Sequence, residues 1–393
     1  MTFSYLKAFM DGMVSQNRTP NCSVCVYLDG KQVYQYSVGF DDLEKTKPIT
    51  GEELYNIYSC SKVATVTAGM QLIEQGRMML TDPLSEYLPE YADMTVRQED
   101  GSITPAKNPI TVADLFSMTA GFNYERKTPA HEKARLLTNG HMNTRTVVRC
   151  MAENPLCFEP GTHWRYSLCH DVLAALIEEV SGMLFRDYMK QSIFEPLGMN
   201  DTCYHHTPET LARTAQQYRF AADAEPQKGI VDAQMSGCSQ TGHFVNVGKD
   251  NDLVLGDEYD SGGAGIITSV TDYAKLMNAL ANGGVGTTGE RILSRQAIDL
   301  MRTNRLSGQL LKDLNWQQLR GCGYGLGVRT HIDPVSSGCI SSLGEFGWGG
   351  AAGATCIIDP AVRLGVFFVQ HTLAPREEYY QPRLRSVVYT CLD

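Results

Sequence analysis

The chain has 393 residues, 43% of them hydrophobic and 20% charged, which is apolar enough to bury a core and excludes a disordered chain. Its 34 basic against 44 acidic side chains leave a net charge of −10, arguing against nucleic acid or an anionic membrane surface as partner. No apolar run reaches the ~18 residues of a spanning helix, so no membrane segment is expected.

Phe3, Leu6, Met10 and Met13 recur at helical spacing and predict an amphipathic helix over Met1 to Gln16. This start lacks a basic stretch followed by an unbroken apolar core, so it does not read as a secretion signal. The expected location is the cytoplasm, or the periplasm if a signal was removed. Ser23 to Tyr27 and Gln32 to Val38 are β-rich, and Asp29-Gly30 between them is a strong hairpin signal. A helix is predicted from Ser59 to Gln75, with an apolar stripe of Val63, Val66, Met70 and Ile73 and with Gly76 as its C-terminal cap.

From Asp82 to Asp250 the pattern is mostly helical. Its clearest pieces are Val112 to Met118, Val147 to Ala152, Val172 to Val180 and Arg186 to Phe194. Residues 221–260 show little periodicity and read as a long surface loop. Strand signals return at Gly323 to His331, Gly353 to Ile358 and Leu364 to His371, with Asp359-Pro360 as a turn, and a helix from Glu377 to Tyr389 closes the chain. Strands at both ends imply an α+β fold with one antiparallel sheet built by the two termini. The expected division is a discontinuous α/β domain, residues 1–81 and 251–393, and a mostly helical domain, residues 82–250, with the active site between them.

The 12 cysteines are too sparse for a disulfide scaffold, and several sit in apolar runs where a free thiol packs as a small hydrophobe. Cys22 and Cys25 form a single C-x-x-C in a strand-like run, which puts the two sulfurs on opposite faces. The adjacent His205-His206 lacks a surrounding carboxylate cluster and reads as surface. No metal or cofactor is expected: H-E-x-x-H and the P-loop pattern are absent, and so is the G-x-S-x-G nucleophile elbow. Gly323, Gly325 and Gly327 alternate along a strand and lack dinucleotide spacing.

What remains is Ser59-Cys60-Ser61-Lys62. Ser59 stands at the entrance of a helix, where unpaired N–H groups can stabilise an oxyanion, and Lys62 follows one turn later on the same face. Taken alone, Ser59 reads first as a helix N-cap. Ser4-Tyr5-Leu6-Lys7 has the same pattern, but a fraying terminus gives no fixed geometry. Cys60 and Ser61 are assigned to packing.

The flanking sequence decides between these readings. "YNIYSCSKVATVTAGMQLIEQGRMMLTDPLSEYLP", "ITVADLFSMTAGF", "GTHWRYSLCHDVLAALIEEVSG", "GGAGIITSVTDYAKLMNALANGG", "YGLGV" and Trp348-Gly349-Gly350 occur in the order found in serine β-lactamases and penicillin-binding proteins. The resemblance covers most of residues 20–372 and implies a β-lactamase/transpeptidase-like fold. It also implies a catalytic set of Ser59, Lys62 and Tyr166, an oxyanion hole from the backbone N–H groups of Ser59 and Ala351, and substrate contacts from Trp348, Gly349, Gly350 and Leu168.

Two positions depart from the penicillin-recognising pattern. Leu168 stands where an Asn is usual and Trp348 where a Lys is usual, which resembles the family VIII carboxylesterases and their acyltransferase relatives. A Lys there would offer a cation to a substrate carboxylate, whereas Trp348 offers an apolar face and favours a neutral ester. Arg165 or Arg329 could replace the missing charge. The expected reaction is attack by Ser59 on a small ester, with Tyr166 protonating the leaving alcohol and then activating water. A class C-type β-lactamase, a DD-peptidase and an acyltransferase using the same acyl-enzyme are the alternatives. The unperturbed pKa values of Lys62 and Tyr166 are about 10.4 and 10. Burial is expected to lower the amine, leaving open which of the two is the base.

Overall fold

The computed structural model describes residues 1–222 and 242–392. Seven strands form its central sheet: β1 (Asn21–Leu28), β2 (Lys31–Gly39), β3 (Cys322–Tyr324), β4 (Arg329–His331), β5 (Phe346–Gly347), β6 (Thr355–Asp359) and β7 (Leu364–Val369). They lie in the order β2-β1-β7-β6-β5-β4-β3, every pair antiparallel. The two ends of the chain meet where β1 pairs with β7, from Ser23 opposite Val369 to Leu28 opposite Leu364. The turn from β1 to β2 uses Asp29 at φ 50° and Gly30 at φ 79°, the left-handed pair that a tight hairpin requires.

Five helices place the site: α1 (Ser4–Ser15), α2 (Ser61–Glu74), α3 (Cys169–Ser181), α4 (Val270–Ala281) and α5 (Glu377–Thr390). Alternation along β1 sends Cys22, Val24 and Val26 into a core with Leu6, Met10, Leu384 and Val388, so α1 and α5 cover that face. Cys25 and Tyr27 point into the larger core that contains α4 and α2. The two sulfurs of the C-x-x-C therefore occupy different cores.

The second helix is buried from Ser61 through Leu72, so the predicted apolar stripe is only part of its covered surface. Two threonines make this possible. Thr65 donates to the Gly262 carbonyl at 2.6 Å and Thr67 to Val63 at 2.7 Å, leaving no bare hydroxyl inside. Gly76 (φ 67°) follows α2 in the left-handed conformation, in the capping place expected of it.

Two expected elements take a different form. The single strand predicted over Gly323 to His331 is a hairpin, in which β3 turns through Gly325–Val328 into β4 and Tyr324 pairs with Arg329. Gly327 at φ 78° makes the turn, a reversal that β-rich composition alone does not reveal. The loop expected over 221–260 instead contributes a strand, Gly242–Gly248, paired with Gln217–Ala222 and, through that strand, with Thr372–Leu373. Its residues are mostly solvent-exposed, so it carries no apolar period to detect. Residues 223–241 of that predicted loop lie outside the described residues. The segment from Asp82 to Asp250 holds α3 and the helices Val112–Ser117, Pro129–Leu137 and Thr144–Met151, and also the small hairpin Thr95–Arg97/Ile103–Pro105. Among the described residues no helix is long and apolar enough to cross a membrane.

Candidate active site

Ser59 sits in a short 3-10 turn, Tyr58–Cys60, immediately before α2. It is not an N-cap: α2 begins at Ser61 and no side chain caps it. Tyr58 is held at φ 47°, a conformation costly for a residue with a Cβ, and its hydroxyl donates to Gln217 at 2.8 Å. The strained residue directs the turn that presents Ser59. Immediately after the nucleophile candidate, Cys60 and Ser61 are buried. Ser61 Oγ accepts the Ile266 N–H at 3.1 Å, and the Cys60 carbonyl accepts the Tyr273 hydroxyl at 2.6 Å.

Lys62 is fully buried, and its ammonium donates to three oxygens: Ser59 Oγ at 3.2 Å, Tyr124 Oη at 3.1 Å and the Gly263 carbonyl at 2.7 Å. Burial pulls this amine down, but Tyr124, Tyr166 and Asp171 around it outweigh that effect, and the net direction is upward. The lowered amine expected from burial alone is thus corrected: Lys62 is held as the ammonium. Asp171, on α3, is the nearest buried carboxylate in this network. It accepts from Ser261 Oγ at 2.7 Å and Tyr259 Oη at 3.0 Å, and burial pushes its pKa up. Gly263 lies between the two charges. A Cβ there would come within 2.6 Å of Asp171 Oδ2 and 3.2 Å of Lys62 Nζ, so only glycine lets cation and carboxylate approach through one peptide.

Tyr166 packs over Lys62, its ring centroid 4.7 Å from Nζ, and stacks on Tyr124 (5.4 Å between centroids) and Trp348 (5.5 Å). Its hydroxyl oxygen accepts the Trp348 indole N–H at 3.1 Å. Trp348 is almost wholly buried, so it acts on Tyr166 as well as lining the cavity beside Ser59. That cavity, of about 150 Å³, is also bounded by Gly349 and Ala351. Ala351 is exposed, and its N–H donates to no backbone carbonyl among the described residues.

The structure therefore brings Ser59, Lys62, Tyr166, Trp348, Gly349 and Ala351 together. Gly350 packs instead against the carbonyl of Ile57, 2.2 Å from where its Cβ would stand. Leu168 lies outside the cavity, buried along a separate cleft of about 400 Å³ that also includes Arg165 and Phe122. Neither arginine supplies a cation beside Ser59. Arg329 is buried in a two-pronged pair with Glu345, at 2.8 and 2.7 Å, and Arg165 faces the separate cleft. His205 is engaged by Asp260 at 2.7 Å. Sequence reasoning missed Tyr124, Asp171, Gly263 and Glu377. The first three converge from three distant segments, and only the Gly262-Gly263 pair carried a local signal, as a demand for close approach.

The family model described as Beta-lactamase matches residues 5–389. Among curated proteins, the chain is 26% identical to Esterase EstB of Burkholderia gladioli over 93% of this chain and 90% of that one. It is 25% identical to Acyltransferase calJ of Penicillium decumbens over 86% and 81%. Among solved structures it resembles EstCE1, a hydrolase with promiscuous acyltransferase activity, with a TM-score of 0.76 and 24% identity over 98% of this chain and 97% of that one.

Proposed function

The chain belongs to the beta-lactamase family, and on that footing we propose that it is a serine hydrolase cleaving small carboxylic esters through an acyl-enzyme on Ser59. The observation that carries the reading is the buried Lys62 ammonium set 3.2 Å from Ser59 Oγ, with the Tyr166 hydroxyl beside the same cavity. An ammonium has no lone pair to accept a proton, so the base role falls to Tyr166. The Trp348 N–H and the Lys62 charge are the groups that stabilise negative charge on its oxygen during the transfer.

In the phenolate form that the base role requires, Tyr166 takes the Ser59 Oγ proton and becomes the neutral phenol as Oγ bonds to the ester carbonyl carbon. The oxyanion is taken up by the N–H groups of Ser59 and Ala351. When the tetrahedral intermediate collapses, the C–O bond to the alcohol breaks and Tyr166 returns the proton to the departing oxygen. Water, activated by the same tyrosine, then releases the acid and restores Ser59. An ester is favoured over a carboxylate-bearing lactam because Trp348 occupies the cavity wall and Arg329 is already paired with Glu345. Transfer of the acyl group to a second alcohol uses the same intermediate, a reading favoured by the relatives with acyltransferase activity.

The test is hydrolysis of p-nitrophenyl acetate, butyrate and octanoate beside nitrocefin, for wild type and Ser59→Ala. Ester turnover lost in the variant by about 10³-fold or more, with little nitrocefin cleavage, is the expected result. Turnover that survives the substitution rejects the nucleophile, and preferential nitrocefin cleavage rejects the ester preference.

A further inference from the structure

The cavity beside Ser59 has an unusual electrical character for a site meant to hold a neutral ester. Three of its walls are aromatic. Trp316 meets the edge of Tyr166 at 5.1 Å between centroids and tilts against Trp348 at 6.0 Å. The only charged side chain lining it, among the described residues, is the carboxylate of Glu377, the first residue of α5. One carboxylate oxygen, Oε2, accepts from Gln318 Nε2 at 2.9 Å. The other lies over Gly349, where a Cβ would stand 3.3 Å from Oε1 and 2.5 Å from Gln381 Nε2. Glycine at 349 therefore keeps the carboxylate's face of the cavity clear.

Among the described residues no cation lines the cavity beside Glu377. The charge of Glu378 acts on it, and its own charge is felt by Tyr380 on the same helix and by Cys60 before α2, none of them positive. Arg376 precedes it, with its guanidinium over the Phe220 ring at 4.8 Å. Lys62 lies behind Ser59 and does not line the cavity. Burial, and then the charge of Glu378, push the Glu377 carboxyl up to about 7, so it is ionised on the alkaline side of neutrality. With no cation lining the cavity among the described residues, this carboxylate attracts ammonium ions by direct charge, and Trp316 adds an aromatic wall beside it.

We propose that Glu377, in the aromatic-walled cavity beside Ser59, binds an ammonium group carried by the ester, so that this chain prefers small cationic esters over neutral and anionic ones. This rests on the esterase reading and names its substrate class. The same carboxylate repels a substrate carboxylate, which gives a second physical reason for the poor fit of lactam and peptide substrates.

Two matched pairs of esters test it, each differing only in a quaternary nitrogen replaced by carbon. The acetate of choline against 3,3-dimethylbutyl acetate places the charge in the alcohol. Ethyl 4-(trimethylammonio)butanoate against ethyl 5,5-dimethylhexanoate places it in the acyl chain. In wild type at about pH 8, kcat/KM is expected to favour the cation by about tenfold or more in at least one pair. That ratio should fall toward one in Glu377→Gln. It should also fall in the wild-type enzyme as the pH is lowered to about 6, below the Glu377 value, which requires no variant to fold. Parity in both pairs overturns the proposal, as does a preference that survives both Glu377→Gln and acidification. Ser59→Ala run alongside on p-nitrophenyl acetate separates the two readings. Loss of that activity upholds the esterase whatever the charge preference, and its survival rejects the esterase instead.

Discussion

Two cations in this protein are removed from water to a similar degree and are answered in opposite ways. Arg329, on β4, meets Glu345 with two parallel hydrogen bonds, and both side chains are almost fully enclosed. Lys62, on α2, meets no carboxylate directly. Its three oxygen partners are a serine, a tyrosine and a backbone carbonyl, and Asp171 reaches it only across Gly263. Leaving a buried charge without a contacting counter-ion is expensive for folding. What it provides is a field directed at Ser59 and the tyrosine oxygens, where a reaction needs charge compensated. The arginine closes its own charge within the fold, whereas the lysine keeps its charge beside Ser59 and the tyrosine oxygens, where the proposed reaction would use it.

The sharpest way to break this contrast is Lys62→Met. It removes the charge at similar volume and should lower ester kcat/KM by about 10³-fold or more, while costing less stability than breaking the Arg329–Glu345 pair, because no carboxylate contacts Lys62 directly. Parallel kinetics and thermal melts check it. A large loss of stability would mean that both cations serve the fold.

Glu345→Gln is the mirror experiment. It strands the Arg329 guanidinium and should destabilise the protein by about 3–5 kcal/mol in a denaturant titration, with ester turnover per folded molecule retained. If turnover fell while stability held, the pair would belong to the site.

Trp348→Phe has the smallest expected effect. It keeps an aromatic wall and deletes the N–H that Tyr166 accepts at 3.1 Å. The loss of one such donor corresponds to a drop of about tenfold in kcat, with KM changing less. An unchanged kcat would show that the Trp348 N–H takes no part in the reaction.

The legibility of the molecule follows the range of the interactions concerned. Hairpin β1–β2 could be read because Asp29-Gly30 demands positive φ locally, and the ends of α1, α3 and α5 fell close to expectation because their periodicity is local. The strand Gly242–Gly248 was hidden because its exposed residues have no burial pattern. The β3–β4 reversal was hidden because β-rich residues continue on both sides of the turn. In the site, Ser59 and Lys62 are one turn apart and visible as a pair, while Tyr166 was found only by resemblance. Tyr124, Asp171 and Glu377 looked like ordinary residues of their own segments.

By itself the sequence determined the antiparallel α+β plan, the helix that carries Lys62 and the spacing of that lysine from Ser59. These depend on neighbours along the chain, where periodicity, turn conformation and helical pitch act. Tertiary structure alone decided that Lys62 stays an ammonium, that Arg329 is spent on Glu345 and that Glu377 lines the same cavity as Ser59. Charge state and cavity chemistry are set by groups from separate segments of the chain that share one low-dielectric space, and that proximity exists only once the chain has folded.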